Sequence, residues 1–413
     1  MSGGYAYLPY KLAGIDVTAA KPLPGTQNLL LTAAQALILA GLGILYARRF
    51  RDITALIRQA PAPAAFLCLA LASVAWSVDP AITLRRVFTL LTIIGFGYYL
   101  VARFSMPDII RVVGQMAALA GYASIAVVLI APGVGTMHGE PELAGAWSGV
   151  FTHKNLLGTT MIVALMTAVW RYRHEPHGRL LRVVEICAAL LVLVMARSRT
   201  AQIDAMLLLP LGLVIAAARL RGVRLLWALY GAAIAGAIVL VLIVSNFEAT
   251  MAFIGKDGSL TGRVPMWGLL LQKALERPFT GFGFGAFFLP SNPALLFVQR
   301  VIGWPTPEAH QGFIELALEL GVPGLLLGGW MLILPTVWAF GAVRDGSAPW
   351  ASFVAIYTVM LAVTNMLEST LLHPGSLDCM LVPTLYAAAR LQQTRRIRDR
   401  RVGVPGRTEH AMP

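Results

Sequence analysis

Long apolar runs separated by short polar segments dominate this chain. They lie near residues 28–47, 61–76, 87–103, 111–131, 155–170, 183–196, 201–218, 225–245, 322–341, 349–366 and 376–391, each bounded by charge, Pro or Gly. Lipid offers backbone N–H and C=O groups no partner, so runs of about 20 residues are expected to become spanning helices with internal hydrogen bonds. The expected fold is therefore all-α: a polytopic membrane helix bundle of about 11–12 transmembrane helices with one long extramembrane loop. The expected organisation is an N-terminal segment 1–27, eight spans over 28–245, a loop over 246–321 carrying short helices, three spans over 322–391 and a basic tail 392–413. No repeat, low-complexity tract or separate soluble domain is visible. The first run ends at Arg48-Arg49 without a small-residue cleavage site, so no removable leader is expected.

Composition agrees with that pattern. Hydrophobic residues make up 57% and charged residues 13% of 413, and mean hydropathy is +0.71, far from a soluble norm of roughly 25% charged. The net charge of +13 raises the question of nucleic acid, but no basic stripe interleaved with aromatic residues and no nucleic-acid signature accompanies it. Topology explains the charge better. Alternate loops from Arg48 onward, with the C-terminal tail, hold 21 of the 33 Lys and Arg residues. The tendency of cytoplasmic loops to retain these residues puts them inside and the N-terminus outside. Cys68, Cys187 and Cys379 fall within apolar runs, without metal-ligand spacing or a disulfide framework.

The remaining basic residues direct attention to the outer face. Arg263 ends the stretch Ser259-Leu260-Thr261-Gly262-Arg263, just before Pro265 and an amphipathic run from Met266 to Glu276. This reads as a helix start, where free N–H groups, the positive dipole end and a guanidinium fork suit a diphosphate; the plain alternative is a surface pair with Asp257. Arg197 and Arg199 fall at the outer membrane boundary, where Arg197 can snorkel and Arg199, opening the next run, is expected to face a cavity. Arg85 and Arg86 read most simply as interfacial anchors beside Asp79.

His310 opens a segment whose apolar positions 313, 316, 317 and 320 form one helical face, with Glu315 and Glu319 sharing the other. A near-neutral imidazole there can serve as a general base. The two glutamates repel at that spacing, so one is expected to pair with an outward Arg unless the face is solvated. His153, Lys154 and Asn155, with Glu368 in the last outer loop, are candidates to line a polar cavity, or simply loop residues in water. Gly281-Phe282-Gly283-Phe284-Gly285 lacks a preceding strand and reads as turn chemistry, not a nucleotide loop. No HExxH, P-loop, CxxC pair or GxSxG occurs.

In order, WSVDPAITLRR, FTHKNLLG, SRTA, LTGR, GFGFGAF, HQGFIELALELG and NMLESTLLHP, from about Trp76 to Pro374, resemble the O-antigen ligase and exopolysaccharide polymerase superfamily. The resemblance implies a bacterial inner-membrane glycosyltransferase of C-type architecture. It would use an undecaprenyl-diphosphate-linked glycan at the periplasmic face without a metal or other cofactor, with a glycan or lipid A-core acceptor and, in some cases, polysaccharide-assembly partners. It carries the catalytic roles to Arg199, Arg263 and His310, and leaves Arg86, His153, Lys154, Asn155, Glu315 and Glu368 as expected substrate-binding residues. The family often has Asn after the histidine, where this chain has Gln311. The rival expectation is a transporter or flippase of lipid-linked glycan, which would place charge near the bilayer midplane, often with repeat symmetry.

Overall fold

The computed structural model describes residues 25–138, 143–217, 220, 231 and 263–402. The expected span at 225–245, most of the N-terminal segment 1–27, loop residues 246–262 with Asp257, and the tail beyond 402 lie outside the described residues. Among the described residues the protein is all-helical, with no strands; an antiparallel bridge joins Thr136 and Trp147.

Helices α1 (Gly25–Arg48), α2 (Phe50–Gln59), α3 (Ala62–Ala72), α4 (Pro80–Arg103), α5 (Met106–Ile130), α6 (Lys154–His174), α7 (Arg179–Ala196) and α8 (Arg199–Ala217) precede the described part of the loop. Two loop helices follow, α9 (Arg263–Glu276) and α10 (Pro293–Ile302), then α11 (Gly312–Asp345), α12 (Ala351–Thr364) and α13 (Asp378–Val402). Among the described residues, α4, α5, α8 and α11 are long and apolar enough to cross a membrane, and α2 with α3, bent by 89°, makes a fifth candidate. Fewer helices pass that test than there are apolar runs, because the run at 225–245 lies outside the described residues, α12 and the Leu37–Arg48 part of α1 are short and the charged ends of α6, α7 and α13 dilute their apolar character.

Local sequence sets the helix boundaries. The Asp79 side chain accepts from Ile82 N at 3.0 Å and Pro80 fills the first position of α4, where its missing N–H costs nothing. Ser105 caps α5 in the same way, with Pro107 in its first turn. In α11 the helix continues through Gly321, whose φ of 65° and ψ of −162° break the shaft in two.

Large apolar side chains remain exposed along the bundle, among them Met116, Leu119, Leu129, Leu326 and Val337. A belt of this kind belongs in lipid rather than water. Inside, Trp338 stacks on Trp350 with centroids 4.7 Å apart.

The end that carries the arginine-rich short loops is closed by ion pairs. Arg111 meets Asp108 at 2.6 Å and Glu175 at 2.9 Å. Arg171, buried, reaches Glu175 at 3.1 Å and Glu185 at 3.7 Å, and Arg182 also binds Glu185. Burial works against the charged form of Glu175, but the hydrogen bond from Arg111 and the charge of Arg171 hold its carboxyl below the usual range.

Candidate functional site

At the opposite end of the bundle, the polar residues of five separate segments meet. The hub is Glu368, buried in the loop between α12 and α13. Its Oε1 accepts from Thr200 Oγ1 at 2.8 Å, on the first turn of α8, and from Asn155 Nδ2 at 3.4 Å, on the first turn of α6. Its Oε2 lies 3.9 Å from His310 Nδ1. Glu308 Oε1 comes closer to the same nitrogen, at 2.9 Å. The ring N–H lines up on neither oxygen, so His310 Nδ1 is enclosed without a directed hydrogen bond and the contact is one of charge. Arg263 closes the group: its guanidinium donates to Leu367 O at 3.0 Å, one residue from Glu368.

His310 is held in a conformation that side chains rarely adopt. Its φ is 49°, a left-handed geometry that costs a residue other than Gly, Asn or Asp free energy and persists only where the surroundings fix it. The bonds that fix it come from both sides. Ala309 N donates to Glu315 Oε2 at 3.1 Å, and Ala309 O accepts from Trp267 Nε1 at 2.9 Å. Gln311 N donates to Ser369 Oγ at 3.1 Å, and Gly312 N to Asn365 O at 2.9 Å. The Gln311 side chain caps α11 by accepting from Ile314 N, which gives the amide beside the histidine a structural task.

The electrostatics set the protonation state. Burial disfavours the imidazolium, but the Glu308 and Glu368 carboxylates outweigh that loss, and His310 is pushed up to about 9. Glu308 responds in kind: burial raises it, and the His310 charge holds it below the ordinary carboxylate range. The resting pair is therefore imidazolium and carboxylate, not the near-neutral imidazole expected from sequence. His373 goes the other way, since burial lowers it to about 4. Glu308, His310 and Glu368 offer ligand atoms within 4.8 Å of one another, a spacing that could hold a metal ion. A cation there would compete with the proton His310 carries.

A second charged group lies beside the first. Glu315 and Glu319 are both buried, so the solvated face considered for them is excluded. The Arg86 guanidinium acts on both carboxyls and is itself packed against Gly285, where a Cβ would fall 2.2 Å from Arg86 Cδ. The glycine loop makes this approach possible. Gly281, Gly283 and Gly285 have φ of 62°, 99° and 67°, values open to glycine at little cost. In that shape Phe282 N and Gly283 N donate to Leu318 O and Glu319 O at 2.8 and 3.0 Å, while Val78 N donates to Phe282 O at 3.1 Å. The loop thus staples the start of α4 to the start of α11. Turn chemistry is what the sequence led one to expect here.

The other expected residues are distributed around this centre. His153 caps α6, its Nδ1 accepting from Asn155 N at 3.2 Å. Lys154 Nζ donates to Arg197 O at 3.1 Å, binding the carbonyl end of α7. Arg197 is exposed, in keeping with snorkelling, and Arg199 is half-buried at the start of α8, beside Thr200. The described part of α9 runs from Arg263 to Glu276, where its sequence suggested the run would end. Two members of the cluster escaped the sequence reading, Glu308 and Thr200. Glu308 lies two residues before His310 and meets it across a backbone whose φ at His310 is 49°.

Together the fold and this cluster define a multi-pass membrane protein with a charged, partly enclosed site at one end of its bundle. Residues 186–328 match the family described as O-antigen ligase, and the match supports the resemblance of this chain to O-antigen ligases and polymerases, membrane enzymes of glycosyltransferase type. The matched stretch includes Arg199, Arg263, Glu308 and His310, while Glu368, Asn155 and Arg86 lie outside it. No curated protein matches the chain.

Proposed function

We propose that the protein transfers a glycan from an undecaprenyl-diphosphate donor to a sugar hydroxyl on the periplasmic face of the bacterial inner membrane, with inversion and without a metal, as an exopolysaccharide or O-antigen polymerase or an O-antigen ligase. The observation that carries this reading is the convergence of Arg263, His310, Glu308 and Glu368 at the end of the bundle opposite its arginine-rich loops. Charge gathered there suits a substrate held in the interface by its lipid, whereas a transporter concentrates charge near the midplane.

The acceptor oxygen attacks the anomeric carbon; the new C–O bond forms as the bond to the diphosphate oxygen breaks, and the electron pair leaves with the diphosphate. Arg199 and Arg263 stabilise the charge that develops on the leaving group. The His310 imidazolium orients the acceptor and donates toward negative oxygen, and the hydroxyl proton passes to a carboxylate of the Glu308 and Glu368 pair. Arg86, His153, Lys154, Asn155 and Glu315 shape and support the substrate site. Diphosphate is already a good leaving group, so positioned cations suffice.

The test is transfer by the purified protein in proteoliposomes, from lipid-diphosphate-linked glycan to a second repeat unit or to a lipid A-core acceptor. Transfer is expected to persist in chelator and to fail in Arg263→Ala, which should also leave lipid-linked glycan unused in cells. Normal polymer output from a folded, inserted Arg263→Ala protein would refute the assignment.

A further inference from the structure

Helix α9 has two unlike faces. Met266, Leu270 and Ala274 are buried in a cluster with Ile314 and Leu318 of α11. On the adjoining side Leu271 and Leu275 are exposed, and so is Phe279 just past the helix end, the last two at 74% and 73%. Residues 271 and 275 have the i,i+4 spacing that aligns one side of a helix, and Phe279 follows in the turn beyond it. Three large apolar side chains in a row are costly to leave in water.

Their position shows what covers them. The Pro278–Phe279 backbone lies against Gly321, where a Cβ would come within 2.5 Å of Pro278 O. Val322 N donates to Pro278 O at 2.7 Å. From that bond downward Val322, Leu326, Trp330, Ile333 and Val337 are all exposed, at successive spacings of four, four, three and four along the spanning part of α11. That periodicity marks the side of the shaft turned to lipid. The exposed stripe of α9 therefore begins where the lipid-facing stripe of α11 ends.

We propose that α9 lies in the surface of the leaflet at this end of the bundle, with Leu271, Leu275 and Phe279 sunk among the lipid acyl chains. Its polar neighbours suit the headgroup layer. Lys273 pairs with the exposed Glu276 at 2.6 Å, and the Arg277 guanidinium stacks on Phe282 with 4.7 Å to the ring centroid. An amphipathic helix with this division of faces lies in the interface plane. If the function proposed above holds, the anchor keeps Arg263, at the start of the same helix, at the depth of a lipid diphosphate.

The experiment uses the full chain with Cys68, Cys187 and Cys379 replaced by Ala and a single cysteine at 271, 275 or 279, or at the exposed Arg300 of α10 as the reference. Each is labelled with an environment-sensitive nitrobenzoxadiazole dye in phosphatidylcholine and phosphatidylglycerol vesicles. Emission at 275 and 279 is expected to shift to the blue and to be quenched several-fold more by doxyl-labelled lipid than at 300, with iodide having little effect. Quenching by iodide equal to that at 300 would place the face in water. Protection from both quenchers would place a protein partner or a second copy there. Either result overturns the proposal. The two readings separate cleanly: lipid quenching at 275 with unchanged transfer by Arg263→Ala would leave the anchor standing and remove the diphosphate.

Discussion

The two ends of the helix bundle handle charge in opposite ways. At the arginine-rich end, Arg111, Arg171 and Arg182 alternate with Asp108, Glu175 and Glu185, so each carboxylate meets a guanidinium. That ladder ties α5, α6 and α7 together. At the other end the carboxylates of Glu308 and Glu368 share one imidazolium, on a backbone held in left-handed geometry. Fully matched charge makes a latch, whereas strained and shared charge marks a site at which something else is to be bound.

The comparison can be broken from either side. The largest effect is expected at the site end, where Arg263→Ala or His310→Ala should lower transfer per folded molecule by about 10²–10³-fold; activity that falls only in proportion to the folded protein would make these residues structural. At the latch end the signs reverse. Arg171→Ala removes the buried guanidinium shared by Glu175 and Glu185, which keep Arg111 and Arg182, and should cost about 1.5–3 kcal/mol of stability, read as a lowered denaturation midpoint, with transfer per folded molecule unchanged. Glu315→Ala removes the acceptor of Ala309 N–H behind His310 and should lower kcat by about tenfold with little change in KM, since an error in placing the group acts on the transition state. An equal rise in KM would make Glu315 a direct substrate contact.

The pH profile sharpens the same contrast. His310 is raised from 6.5 to about 9, so the stability contributed by its ion pair is fully present below about 6.5 and is lost as pH rises through about 9. Transfer that needs the imidazolium should fall over that upper window. An increase in rate through pH 9 would instead make the free imidazole a base. The smallest effect is local: Asp79→Ala removes the cap of α4 and should cost about 1 kcal/mol without altering the pH profile.

Much of the frame was legible in the sequence because lipid enforces simple rules. Among the described residues the apolar runs became helices, and the amphipathic run before Glu276 did the same. The site was legible as a set of residues but not as an arrangement. For Glu315 and Glu319 the spacing left open a pairing with an outward Arg or a solvated face, and their burial beneath the glycine loop, with Gly281 against the Glu319 backbone, shows only in three dimensions. Glu308 was hidden because its partnership with His310 depends on a backbone twist that no residue type announces. Thr200 was hidden because its partner lies 168 positions away.

The break at Gly321 has a mechanical result. Above it, the nine residues from Gly312 to Leu320 are fixed by bonds to neighbouring loops; below it, the shaft answers to the bilayer. A thicker or thinner membrane will tilt the lower shaft, as hydrophobic mismatch requires, and the joint absorbs the rotation before it reaches His310. Turnover should accordingly stay level in vesicles built from lipids of different chain length.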